Sequence, residues 1–158
     1  KFYLLKKNVL IISDNFTLNA DNVKIDFNEN MYDIIELNAK GDVVFSSNQF
    51  NTKGSGENLN FKVKFEEIKV DGINSELLTD DIKMFSDGFI KVNNANGKFT
   101  LNGPNSKLIN ESILIKGEFI DGIFSNDQGK KQIVFLNVID DNISYVKNND
   151  SEMFFKHC

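Results

Sequence analysis

Apolar and polar residues alternate along almost the whole chain, at Phe16-x-Leu18, Val23-x-Ile25-x-Phe27, Ile35-x-Leu37-x-Ala39, Leu59-x-Phe61-x-Val63-x-Phe65, Ile68-x-Val70, Ile90-x-Val92, Phe99-x-Leu101 and Ile113-x-Ile115. Successive strand residues point to opposite faces, so this period of two predicts strands with one buried face. The helical period finds its best match at Ser75 to Phe85, where Leu77, Leu78, Ile82 and Met84 group together, and predicts at most one short helix. Asp71-Gly72, Asp87-Gly88, Asn96-Gly97, Asn102-Gly103 and Asp121-Gly122 accept the positive φ of tight hairpins and predict turns. Gly54-Ser55-Gly56 reads as a strand-turn glycine pair, because no third Gly or helix start follows to make a phosphate loop. Ser125 to Gln132 predicts a polar loop. Pro104 alone interrupts the ladder-forming pattern, and the apolar runs continue to Phe155. An ending on Phe155-Lys156-His157-Cys158 without turn or cap reads as an edge strand awaiting a neighbour or as a truncated end.

The pattern also repeats. Phe16-Thr17-Leu18-Asn19 returns as Phe99-Thr100-Leu101-Asn102, and Asn22, Lys24 and Ile25 return at the same offsets as Asn105, Lys107 and Leu108. A looser copy aligns Val43-Val44-Phe45 with Val9-Leu10-Ile11, Phe50 with Phe16, and Gly56-Glu57-Asn58-Leu59 with Ala20-Asp21-Asn22-Val23. Similar strand units side by side build a long, continuously lined sheet, which suits a binding trough better than a catalytic point.

The 158 residues fit one domain, residues 1–158, with enough apolar content (41%) for a real core. Fifteen Phe and no Trp are either core filler or the lining of a greasy interior for an acyl ligand. A net charge of −5, with every basic residue a Lys and no basic cluster among aromatics, argues against nucleic acid as a partner. No apolar run is long enough for a membrane-spanning helix. The start at Lys1 leaves removal of a leader or anchor open, and the single Cys158 excludes an internal disulfide.

The spacing supports neither catalysis nor cofactors. His157 and Cys158 are adjacent at the tail, where strand geometry points them apart. Glu66-Glu67, Asp80-Asp81 and Asp140-Asp141 read as solvated edges and turns, with a weak Ca²⁺ site near Asp140, Asp141 and Asn142 as a minor alternative. The sequons at Asn15, Asn110, Asn142 and Asn149 carry no assigned role. The chain therefore reads as a non-enzyme with no cofactor and no resident metal.

One phrase recurs: an apolar-x-apolar strand, a Gly, an apolar strand, then a turn into a small residue plus Asp or Asn. It runs through Ile35-Glu36-Leu37-Asn38-Ala39-Lys40-Gly41-Asp42-Val43-Val44-Phe45 and again through Ile68-Lys69-Val70-Asp71-Gly72. With Gly41-Asp42-Val43 and Ala20-Asp21-Asn22-Val23 as its signposts, residues 8–115 resemble the lipopolysaccharide-transport bridge family, the OstA-like periplasmic β-jellyroll domains. Asp42 stands where that family usually has Asn. The resemblance implies an all-β, twisted open jellyroll of two facing antiparallel sheets over an apolar trough. It further implies a periplasmic carrier of lipopolysaccharide, stacked edge to edge with other jellyroll domains as a homo- or hetero-oligomer. Given that fold, alternation assigns Phe16, Leu18, Val23, Ile25, Ile35, Leu37, Val43, Phe45, Phe50, Leu59, Phe61, Val63, Ile68, Val70, Ile90, Val92, Phe99, Leu101 and Ile115 to the inward, lipid-binding side. Two other readings compete: a structural β-repeat domain, solenoid or adhesin-like, with a dry interior, and a glycan hydrolase needing two carboxylates brought together from distant strands.

Overall fold

The computed structural model describes residues 1–30, 33–111, 113–127, 129–140, 143–147 and 152–156, with side chains described as far as residue 140 and not at Asp127. The described residues form strands and turns throughout: β1 (Phe2–Ile12), β2 (Phe16–Phe27), β3 (Ile34–Ser47), β4 (Thr52–Lys62), β5 (Glu67–Asp71), β6 (Ser75–Thr79), β7 (Ile82–Ser86), β8 (Phe89–Asn93), β9 (Lys98–Asn110), β10 (Ile113–Asp127), β11 (Lys130–Ile139), β12 (Ile143–Lys147) and β13 (Glu152–Lys156). Every pairing is antiparallel.

The long strands are bent in the middle, and the bend makes two sheets from one ladder. Register shifts fall between Lys6 and Val9 in β1, Asn19 and Asn22 in β2, Lys40 and Val43 in β3, and Gly117 and Phe119 in β10. Such bulges insert residues that kink a strand and strengthen its twist. Lys7, Asn8, Gly41, Asp42, Gly103 and Asn105 all take positive φ at these points. Gly41 is required there: at φ 81° a side chain is strained, and a Cβ would meet the Asp21 carboxylate at 2.3 Å.

On one side of the bend, β4 pairs with β5 and the ladder runs β1-β2-β3-β4-β5-β8-β9-β10-β11. On the other, β4 pairs with β6 and it runs β1-β2-β3-β4-β6-β7-β9-β10-β12-β13. These are the first and second sheets. The repeats acquire a physical meaning here. In β2, Phe16 to Asn19 lie in the second sheet and Asn22 to Ile25 in the first, whereas in β9 the matching Phe99 to Asn102 lie in the first and Lys107-Leu108 in the second. The looser copy likewise superimposes β3-β4 on β1-β2, since Gly56, like Ala20, precedes the crossing into the first sheet.

Several local expectations are corrected. Ser75 to Phe85 is not a helix but most of the β6-β7 hairpin, because Leu77, Ile82 and Met84 are inward strand positions whose phase is shifted by the Asp80-Asp81 turn. Asn102-Gly103 and Asp121-Gly122 sit inside β9 and β10 rather than in hairpin turns, and Gly54-Ser55-Gly56 lies within β4. The Ser125 to Gln132 run is largely the paired end of the β10-β11 hairpin, not a loop. His157, Cys158, Asp141, Asn142 and Asn149 lie outside the described residues.

Candidate functional site

Register carries the inward residues into continuous rows. Across the first sheet, Val23, Ala39, Leu59, Val70, Ile90, Leu101 and Ile120 stand opposite one another in succession. The neighbouring row is Ile25, Leu37, Phe61, Ile68, Val92 and Phe99, ending on Gly122. Across the second sheet run Leu18, Phe45, Gly54, Leu77, Met84, Leu108 and Ile115. Where a row contains glycine, an aromatic ring occupies the missing side chain's place: a Cβ on Gly54 would meet the Phe45 ring at 2.5 Å, and one on Gly122 the Phe99 ring at 2.6 Å.

The width of the interior is graded by residue size. Beside the bend line stand Val43 opposite Gly56, Ser75 opposite Ser86, and Ser106 opposite Gly117. The serine hydroxyls are buried and bonded, Ser86 to Ser106 at 3.0 Å, Ser75 to the Gly72 carbonyl at 2.7 Å and Ser106 to the Gly103 carbonyl at 2.8 Å. Small side chains let the sheets converge there. At the opposite border the space holds aromatics: Phe16 stacks on Phe45 (6.4 Å between centroids) and Phe61 (5.9 Å), Phe50 meets Phe61 edge-on at 6.3 Å, and Phe99 stacks on Phe124 at 6.0 Å. Phe16, Phe50 and Phe61 are only partly buried, so this wide border is where the interior approaches the surface.

Of the residues assigned inward from sequence, Leu18, Val23, Ile25, Leu37, Val43, Phe45, Leu59, Ile68, Val70, Ile90, Val92, Phe99, Leu101 and Ile115 are buried and belong to one cluster. Val63 is half-buried, and Ile35, at the start of β3, is 49% exposed. The assignment omitted Leu77, Ile82, Met84, Leu108, Ile120 and Phe124, all in the same cluster. The outer faces differ in kind. Lys69 faces Lys91, Asn60 bonds Asn38 at 2.7 Å, and Asn58 bonds Asp71 at 2.6 Å. A concavity of about 620 Å³ on the second sheet's outer face mixes Lys53, Glu76 and Lys83 with Leu78 and Phe85.

Asp80 departs from its reading as a solvated turn carboxylate. It accepts the Lys131 amide at 3.0 Å and an Asn51 amide hydrogen bond, and lies 3.6 Å from the Lys131 ammonium, itself only 8% exposed. Burial pushes the Asp80 pKa up, but the Asn51 and Lys131 hydrogen bonds and the Lys131 charge outweigh it and hold the group below 3.8. Among the described residues no cluster of His, Cys, Asp and Glu is arranged to hold a metal, and no helix is long and apolar enough to cross a membrane.

Neither a protein-family profile nor a curated protein sequence matches the chain. Among solved structures, the fold matches LptH, the LptA-homologous periplasmic component of the conserved lipopolysaccharide transport device from Pseudomonas aeruginosa, with a TM-score of 0.58 over 79% of this chain and 82% of that one. Identity is 18%. The chain thus has the jellyroll fold of that transport component, as the sequence resemblance implied.

Proposed function

We propose that this chain is a non-enzymatic periplasmic carrier that takes lipopolysaccharide acyl chains between its two sheets and passes them along a bridge of stacked jellyrolls. One observation carries the reading: the apolar rows cross the sheets from strand to strand, so the packed interior is apolar along its whole length rather than at a single point. An acyl chain lying along it gains about 0.8 kcal/mol per buried methylene without any specific polar contact. The fold shared with LptH, a periplasmic transport component, supports the same reading.

Stacking would use the ladder ends. Among the described residues β1 pairs only with β2 and exposes Phe2, Tyr3, Leu4 and Leu5, while β11 pairs only with β10 and exposes Val134, Phe135 and Ile139. An edge this apolar favours addition of another strand.

Native mass spectrometry with added lipopolysaccharide tests the carrier. An adduct is expected for the wild type and for Asn96→Ser in an exposed turn, and not for Phe61→Asp at the wide border. Leu37→Asp is a poorer probe, since Leu37 is 3% exposed and the change would disrupt the fold itself. Equal loss from the turn and border variants, or no wild-type adduct, would favour the structural β-repeat, whose dry interior needs the same packing.

A further inference from the structure

The wide border of the interior is not left open on its β10 side. β9 begins at Lys98, opposite Ile123, so residues 124–127 of β10 and the facing start of β11 extend past the first sheet. There the hairpin crosses to the second sheet. Its inner face carries Phe124, stacked on Phe99, and Lys131, whose ammonium donates to the Phe50 carbonyl at 2.7 Å and pairs with Asp80. Phe50 lies in the β3-β4 turn and Asp80 in the β6-β7 turn, so one lysine ties three elements together from 81 and 51 residues away. Outside it, Lys130 reaches Asp81 at 2.6 Å and Glu111 at 3.2 Å.

We propose that the β10-β11 hairpin is a strap across the wide border, that Lys131 is its clasp, and that acyl chains enter the interior when the clasp opens. The lipid role rests on the carrier reading; the strap's opening does not. Three features point to a movable part. The β10-β11 register shifts between Ile123 and Phe124, where the hairpin leaves the sheet, which sets a bulge at the hinge. Beyond that point a single backbone bond among the described residues, from the Phe124 amide to the Gly97 carbonyl, ties the hairpin to the β8-β9 turn. The fastening combines a largely buried ion pair with the Phe124 ring, and on opening the two charges regain hydration that offsets part of their lost attraction, so that only Phe124 and Ile133 give up apolar burial. The interior behind the strap is packed with Phe and Leu, so a guest needs the sheets to separate at this border rather than at the bend.

Cross-linking decides it. In a Cys158→Ser background, Asp80→Cys with Lys131→Cys replaces the clasp by a disulfide or a short bis-maleimide bridge, the site being chosen by the 3.0 Å contact between the Lys131 amide and Asp80. Fluorescent lipopolysaccharide should load about tenfold more slowly into the bridged protein than into its reduced form, and reduction should restore the disulfide form. Lys131→Met should raise hydrogen exchange over residues 124–133 while leaving β2 and β3 unchanged. Equal loading of bridged and reduced protein would overturn the gating role. Unchanged exchange in Lys131→Met would overturn the clasp. If no form loads lipid at all, the groove reading fails and the lipid role of the strap with it, while exchange still shows whether the hairpin opens.

Discussion

The bend line and the wide border are two edges of the same interior, built on opposite principles. At the bend, Ser75, Ser86 and Ser106 fill the space with small groups whose hydroxyls are bonded to each other or to nearby carbonyls. At the border, partly buried Phe16, Phe50 and Phe61 meet a hairpin held by Lys131 and by the Phe124 ring stacked on Phe99. Such a sandwich can move at the border and not at the bend. The bend is fixed by covalently continuous strands and satisfied polar groups, whereas the border is held by ring contacts and a largely buried ion pair whose charges regain hydration when it opens.

The comparison breaks most visibly if a large residue is forced into the narrow edge. Ser86→Leu should overpack the bend and leave the Gly88 amide without the Ser86 hydroxyl that accepts its hydrogen bond, lowering stability by about 3 kcal/mol in urea unfolding. At the wide edge the same kind of insult should be milder. Phe61→Ala leaves space that neighbouring Phe16 and Phe50 can enter, and about 2 kcal/mol is expected by the same measurement. A bend variant that proved no worse than the border variant would remove the distinction.

A third test sharpens the border itself. Because the Asp80 pKa is depressed in the folded protein, its contribution is fully present above the ordinary 3.8 and is lost as pH falls through the lower, folded value. The stability difference between wild type and Asp80→Asn should therefore be constant from about pH 5 upward and shrink below the ordinary value. The facing groups are the Lys131 ammonium and Asn51, which does not titrate. A difference that shrinks instead toward neutral pH would assign the effect to another group. The smallest effect belongs to Lys130→Ala, outside the clasp. Lys130 is exposed, its pairing with Asp81 and Glu111 is screened by solvent, and no change in stability or in hairpin exchange is expected.

The strands and the inward rows were legible because one buried face imposes a period of two, and the repeats were legible because each long strand meets the same bend. Other features were hidden for physical reasons. Leu77, Ile82 and Met84 lost their alternation where a two-residue turn shifted the phase, and so imitated a helix. Asp-Gly and Asn-Gly pairs mark positive φ or close packing as readily as they mark hairpins: Gly103 serves a bend and Gly122 makes room for the Phe99 ring. Lys131 sat in the most polar stretch of the chain. Its inward parity with Ile133 was the available signal, but its partners, 51 and 81 residues distant, came only from the fold.

Whether acyl chains lie between the sheets is tested most directly by placing a photo-crosslinking residue at Phe61, at the interior's wide border, and in a second variant at Lys91, on the outer face of the neighbouring ladder. Irradiation with lipopolysaccharide should give an adduct at position 61 and none at position 91. Equal adducts at both positions, or at neither, would contradict a lipid path through the interior.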